Sequence, residues 1–159
     1  MIQRKQTLFL ALAALCVALM FVFPISVYSH PDLGEITFRV MGPQLVDPDA
    51  PIVPKTLLPL GAIAGLAILL LGATIFMYKD RRRQLRFANF CYMVLLGLFA
   101  AVFMSENGMS TYFGMKSSRY EGQVGIGYFL PLVALVFTFL AVRGIKADED
   151  LVRSADRLR

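Results

Sequence analysis

The sequence predicts an all-α membrane protein, with four transmembrane helices in an up-down bundle. Three observations predict this fold. The chain has 159 residues, 57% of them hydrophobic and 17% charged, which is more apolar than soluble domains usually are. The apolar residues gather in four blocks of roughly twenty, the length that a helix needs to cross a hydrocarbon core. Finally, most Lys and Arg residues fall on one side of the four predicted passes. The connections are too short for a second domain, so residues 1–159 form one unit.

The first block covers residues 7–27 and carries no charge, while Arg4 and Lys5 precede it. This pattern also resembles a secretory signal peptide. The apolar run is longer than the roughly 7–15 residues of a signal peptide, and Pro24 lies inside it. We therefore interpret the block as an anchor that is retained.

A polar, proline-containing loop follows over residues 28–55. Apolar and polar residues alternate over 36–40, which is typical of a strand and allows a short β-hairpin over the membrane surface. The second block covers residues 57–78, and a basic connection over 79–86 joins it to the third block.

The third block covers residues 87–104, and the fourth covers 125–142. We interpret residues 105–124 as a loop, because Gly, Ser and Tyr interrupt the apolar run. Residues 143–159 form a charged tail, which is predicted to be an amphipathic helix.

Twelve of the sixteen Lys and Arg residues lie in the N-terminal stub, the basic connection or the tail. Cytoplasmic segments of membrane proteins carry such an excess. Both chain ends are therefore predicted to be cytoplasmic, and the lipid bilayer is the expected partner of the basic residues. The basic connection is too short to present a helix to nucleic acid, so we expect no nucleic-acid partner.

Small residues at helical spacing predict where the helices approach one another closely. The second block carries Gly61, Gly65 and Gly72 along one face, and the third carries Gly97 and Ala101. These positions are the candidate packing residues. Their faces either pack within the chain or form the seam of a homodimer.

The blocks contain no ionisable side chain, which disfavours proton-coupled transport. Asn89 is the most notable polar residue at depth, and we expect its amide to bond to a neighbouring helix. Cys16 and Cys91 both fall in apolar blocks and are expected to be small buried residues.

His30, Asp32 and Glu35 could form a metal or acid–base cluster, but charges in loops near a membrane are usually only solvated. We find no catalytic, cofactor or metal motif in the sequence. The chain is therefore predicted not to be an enzyme and to need no cofactor.

The tail is the candidate contact surface for a protein partner. Leu151, Ala155 and Leu158 share a helical face, and Arg153 lies four residues after Glu149, so that the two can form an ion pair. We expect Leu151, Arg153, Ala155 and Leu158 to touch the partner. We also expect that removal of residues 148–159 leaves the bundle folded.

The opening MIQRKQTL and the closing KADEDLVRSADRLR resemble a four-pass inner-membrane family of bacteria, domain of unknown function 4293. The four blocks and the basic connection fit the same family. The resemblance implies a bacterial inner-membrane location and assigns no catalytic residue.

The expected function is therefore that of a small structural or accessory membrane protein, which binds a partner through its cytoplasmic face. The alternative is a small transporter or lipid-handling protein that uses a cavity between helices.

Overall fold

The computed structural model describes residues 3–30, 34–45, 59–78, 80–116 and 121–157. These residues form four helices and four strands. In chain order they are α1 (Gln3–Leu19), β1 (Ser26–His30), β2 (Gly34–Arg39), β3 (Gly42–Leu45), α2 (Leu60–Phe76), α3 (Arg81–Lys116), β4 (Glu121–Val124) and α4 (Ile126–Arg157). The protein is mostly helical, with a small sheet at one end of the helices.

The helices form a ring in which each packs against two neighbours. Helix α1 contacts α2 and α4, and α3 contacts the same two helices. Helices α1 and α3 run toward the sheet, whereas α2 and α4 run away from it. This is the up-down order that the sequence predicts.

The sheet corrects the prediction of a purely helical fold. Its four strands lie in the order β3-β2-β1-β4, and all neighbours are antiparallel. Strand β2 contains most of the alternating segment, and Ser26 of β1 lies opposite Phe38. On its other edge, Ser26 lies opposite Val124 of β4. The two predicted loops are thus joined in one sheet instead of forming a single short hairpin.

Helix α1 is shorter than the predicted 7–27 block. It ends at Leu19, and tighter turns follow, in which the amide of Phe21 donates to the carbonyl of Ala18 at 3.1 Å. Pro24 comes next and has no amide hydrogen with which to continue the helix. The apolar Ile25 and Val27 then lead into the sheet instead of continuing α1. Hydropathy alone does not distinguish a buried strand from a helix, so the predicted block included both residues.

Helix α3 is longer at both ends than the predicted 87–104 block. It begins after Asp80, whose carboxylate accepts a hydrogen bond from the amide of Arg83 at 3.1 Å and so caps the helix. It continues to Lys116, through most of the segment predicted as a loop. Met109 lies in this extension and is buried, which shows that packing outweighs the local Gly and Ser content.

Helix α4 unites the fourth block and the tail. It runs without interruption from Ile126 to Arg157, beyond the predicted boundary at residue 142. The tail is therefore an extension of a packed helix, and Ile145 within it is only 1% exposed.

The interior of the ring is mainly apolar, and so is much of its outer surface. Fully buried side chains come from all four helices: Leu10, Leu71, Leu95 and Ala134. Large apolar side chains also point outward from all four: Leu8, Leu69, Met93 and Val136. Among the described residues, two segments are long and apolar enough to cross a membrane, Arg81–Tyr112 and Ile126–Val152, whereas the apolar helices Lys5–Leu19 and Leu60–Phe76 are shorter.

The candidate packing glycines do not share one environment. A Cβ added to Gly61 would lie 3.1 Å from the sulfur of Met41, whereas at Gly65, Gly72 or Gly97 it would meet no described atom within 4 Å. Within the described part of the chain, buried alanines fill the helix contacts instead: Ala64, Ala67 and Ala101. A homodimer seam at the open glycines stays a prediction.

Candidate functional site

Three segments meet at the end of the ring that lies away from the sheet. They are the start of α1, the connection from α2 to α3 and the last turns of α4, and we call this region the basic end. Gln6 of α1 donates a hydrogen bond from Nε2 to Oδ2 of Asp148 in α4, at 2.8 Å. Both side chains are buried, so this bond satisfies polar groups that water does not reach.

A glycine makes the approach of these two helices possible. A Cβ added at Gly144 would lie 3.0 Å from Cγ of Gln6, closer than ordinary van der Waals contact. A side chain at this position would therefore press on the Gln6–Asp148 pair.

The start of α3 also contacts the last turns of α4. The guanidinium of Arg81 lies 3.5 Å from the backbone carbonyl of Asp148, and Nε of Arg82 lies 3.4 Å from Oε1 of Glu149. Arg82 is largely exposed and Glu149 is only partly buried, so this pair contributes little to stability. Together with Gln6, these contacts hold the first half of the predicted tail against two helices.

The connection between α2 and α3 is fixed by a second buried polar group. Gln84 is 4% exposed, and its Nε2 donates to the carbonyl oxygen of Thr74 at 3.2 Å. The hydroxyl of Thr74 also lies 3.3 Å from the sulfur of Cys91. The side chain of Gln84 is thus directed toward α2 instead of outward.

Beyond Asp148, α4 carries apolar side chains that are exposed instead of buried. Leu151 is 63% exposed and Val152 is 46% exposed. Of the other predicted contact residues, Arg153 and Ala155 lie on the same helix with side chains that the structure does not describe, and Leu158 lies outside the described residues. Sequence reasoning missed Val152, which helical spacing places beside Ala155, three residues later.

A groove of about 440 Å³ lies between α3 and α4, next to the basic end. Its lining combines two cations, one amide and three apolar side chains: Leu85, Asn89, Phe139, Val142, Arg143 and Lys146. The side chain of Asn89 is exposed here and bonds to no other described residue, so the expected bond to a neighbouring helix is not formed.

The residues considered as a metal or acid–base cluster include His30 and Glu35, which lie at the sheet end of the molecule. His30 ends β1 opposite Gly34, and Ser29 lies opposite the exposed Glu35. Asp32 lies outside the described residues. The sheet therefore brings His30 and Glu35 onto neighbouring strands but does not define a three-residue cluster.

Near these strands, β1 is attached to α3 by a contact that the sequence did not predict. The hydroxyl of Tyr28 donates to Oε1 of Glu106 at 3.2 Å. Burial, with a further contribution from the charge of Glu106, raises the pKa of Tyr28 to about 12. Tyr28 thus stays protonated and able to donate at any physiological pH.

The chain matches the family described as Domain of unknown function (DUF4293) over residues 2–158. It belongs to this family. The resemblance drawn from the two end segments is thereby confirmed, and it extends over nearly the whole chain. No curated protein matches the sequence.

Within this DUF4293 chain, the residues that organise the basic end escaped sequence reasoning for one reason. Gln6 and Asp148 are 142 positions apart. Each lies in one of the two end segments that carry the family resemblance, but that resemblance assigns them no contact. The available signal was weak: a polar residue next to the first apolar block and an acidic residue just after the last one.

Proposed function

We propose that this protein crosses a bacterial inner membrane four times, with the basic end on the cytoplasmic side. The outward apolar side chains of all four helices support this proposal, because soluble monomers rarely expose such continuous apolar surface. The positions of the three basic segments support it as well, since they lie together at one end of the ring.

The two shorter helices are compatible with four passes. The apolar part of α1, residues 7–19, gives about 20 Å of helix at 1.5 Å per residue, against a hydrocarbon core of about 30 Å. The turns that follow it remain apolar through Phe23, and they cover the remaining distance.

Thiol labelling in spheroplasts tests this orientation. Gln84 is a poor labelling position because its side chain is buried, so Arg83, which is exposed, is the better choice. In a chain whose Cys16 and Cys91 are replaced by Ala, a membrane-impermeant maleimide should label Glu35→Cys but not Arg83→Cys until the membrane is permeabilised. The reverse pattern would invert the topology, and immediate labelling of both would exclude a membrane between them.

We further propose that the protein is not an enzyme and acts as an accessory protein, which binds a helical segment of a protein partner through the end of α4. The exposure of Leu151 and Val152 carries this proposal. These side chains stand one turn beyond a fixed point, the Gln6–Asp148 bond, so their position is determined before any partner binds. Such preorganisation reduces the entropy lost on binding.

Photocrosslinking in cells tests the partner contact. A photoreactive phenylalanine at Val152 should trap one discrete product, and adding Leu151→Glu should remove that product. Ile126, exposed at the other end of α4, provides the control position and should give none. Equal products at both positions, or none at Val152, would contradict the proposal, and a product of two copies of the chain would replace the partner by a homodimer.

The second candidate function is that of a small transporter or lipid-handling protein. The groove between α3 and α4 favours the lipid-handling form, because it opens on the outer surface of the ring and is lined by both cations and apolar side chains. Flux of a solute through proteoliposomes above that of empty vesicles would favour transport instead.

A further inference from the structure

The groove between α3 and α4 has a polar end and an apolar end. Lys146 and Arg143 lie toward the basic end, and Phe139 lies one helical turn further toward the middle of the ring. We propose that this groove binds one anionic phospholipid, with its phosphate at the cations and an acyl chain along the apolar wall. The inference rests on the membrane location proposed above.

The two cations are free to receive a phosphate. Arg143 and Lys146 are both exposed, and no ion pair joins either of them to a carboxylate among the described residues. Of the carboxylates that follow in α4, Asp148 accepts from Gln6 and Glu149 pairs with Arg82. Asp150, four residues after Lys146, is exposed and forms no ion pair with either cation. Among the described residues, no carboxylate therefore pairs with the positive charge of the groove.

The spacing of these cations suits a headgroup. Positions 143 and 146 are three residues apart, so the two side chains lie on one face of α4. The guanidinium offers paired donors to phosphate oxygens, and the ammonium adds a point charge. Basic pockets between transmembrane helices on the cytoplasmic side are known to hold anionic headgroups.

Asn89 faces the cations from α3. Its exposed amide can donate to a phosphate or glycerol ester oxygen without breaking another side-chain bond among the described residues. An amide that serves a ligand accounts for a polar residue at a position where an apolar side chain would otherwise face lipid.

The apolar wall continues beyond the groove. Leu85, Phe139 and Val142 line the groove itself. One turn deeper, Met93 of α3 is 64% exposed and Val136 of α4 is 54% exposed, and helical spacing places them on the same faces as Asn89 and Phe139. An acyl chain that leaves the headgroup can follow this line toward the middle of the bilayer.

Tryptophan fluorescence can measure this binding, because the chain contains no tryptophan. Phe139→Trp places a single reporter in the groove of the full-length protein. Phosphatidylglycerol with brominated acyl chains should quench this reporter at lower lipid fraction than brominated phosphatidylcholine in otherwise identical nanodiscs. Each cation near the surface contributes about fivefold in affinity.

Two matched double variants separate the site from general charge attraction. Arg143→Gln with Lys146→Gln should lower the apparent affinity for brominated phosphatidylglycerol by about thirtyfold, given two such contributions. Arg83→Gln with Arg86→Gln removes the same charge from exposed positions outside the groove and should preserve the preference. Exchanging the two cations, Arg143→Lys with Lys146→Arg, should preserve most of the preference for phosphatidylglycerol.

The results that would contradict the lipid site can be told apart from the result that would contradict the membrane location. Equal quenching by the two lipids, or equal losses in the two neutralised variants, would overturn the lipid site while leaving the membrane location intact. Displacement of the lipid by excess soluble glycerol phosphate would show that the cations bind a free phosphate and would also overturn it. Quenching by neither lipid would contradict the proposed membrane location itself.

Discussion

The amide of Gly127 donates a hydrogen bond to the carbonyl oxygen of Pro24 at 2.9 Å, which joins the first turn of α4 to the turn that follows α1. The approach leaves no room for a side chain, because a Cβ at Gly127 would lie 2.6 Å from that oxygen. Helices α1 and α4 are thus held together at both ends, by this bond and by the Gln6–Asp148 bond.

Replacing Gly127 with Ala should lower the free energy of unfolding by about 1–3 kcal/mol, the usual range for overpacking. Thermal unfolding in mild detergent measures the change. Gly97→Ala is the matched control, since a Cβ there meets no described atom within 4 Å, and Ala favours helix over Gly. Equal losses at both glycines would mean that the effect comes from the backbone and not from the contact.

Replacing Ala64 with Leu should destabilise the ring by a similar amount. Ala64 is 0% exposed, so a larger side chain must displace its neighbours. Gly65→Leu should leave the melting temperature nearly unchanged, because the position is open within the described chain. A large loss at Gly65 would reveal a contact beyond the described residues, and size-exclusion chromatography would show whether a second copy supplies it.

Truncation should show that the first half of the predicted tail contributes to stability and that the second half does not. A chain that ends at Asp150 should melt like the full chain, because Leu151 and Val152 are exposed. A chain that ends at Ala147 leaves the buried Gln6 amide without its acceptor and should lose about 1–3 kcal/mol. The expectation that removal of residues 148–159 leaves the bundle folded stays a prediction, to which the Gln6–Asp148 bond adds an expected loss of stability. Identical melting of the two truncated chains would contradict the importance of the Gln6–Asp148 bond.

Tyr28 should make stability depend on alkaline pH. Its pKa is raised to about 12 in the folded protein, whereas an unfolded tyrosine titrates near 10. Between these values the folded state holds more protons, so stability is fully present below about pH 10 and falls as the pH rises toward 12. Melting temperatures from pH 9 to 12 should fall less steeply for Tyr28→Phe. Parallel curves would exclude Tyr28 as the source.

The apolar blocks located all four helices because side chains in the ring are apolar on both their inner and outer sides. Their ends were harder to place. Pro24 marked the region where α1 stops, but the apolar Ile25 and Val27 concealed the change to strand. At the far end of α3, residues after Met104 read locally as a loop, and only the burial of Met109 in the folded chain explains the continued helix.

The candidate site could be predicted only in outline. The basic segments were visible as charge, but pairing of Gln6 with Asp148 depends on a contact between the two ends of the chain. Strand β4 has the sequence EGQV and exposes all four residues, so it shows no alternation that would mark it as a strand. Its assignment comes from its partner, β1.

The position of β1 in the sheet sets an order of events during synthesis. Ser29 bonds to Glu121, 92 residues later, so one edge of β1 stays unpaired until α2 and α3 have left the ribosome. At 5–20 residues per second, this interval lasts roughly 5–20 s. An open strand edge is prone to pair with other chains. We therefore expect that nascent chains made close together on one messenger RNA can mispair at this strand during the interval. Slower initiation of translation should reduce this mispairing.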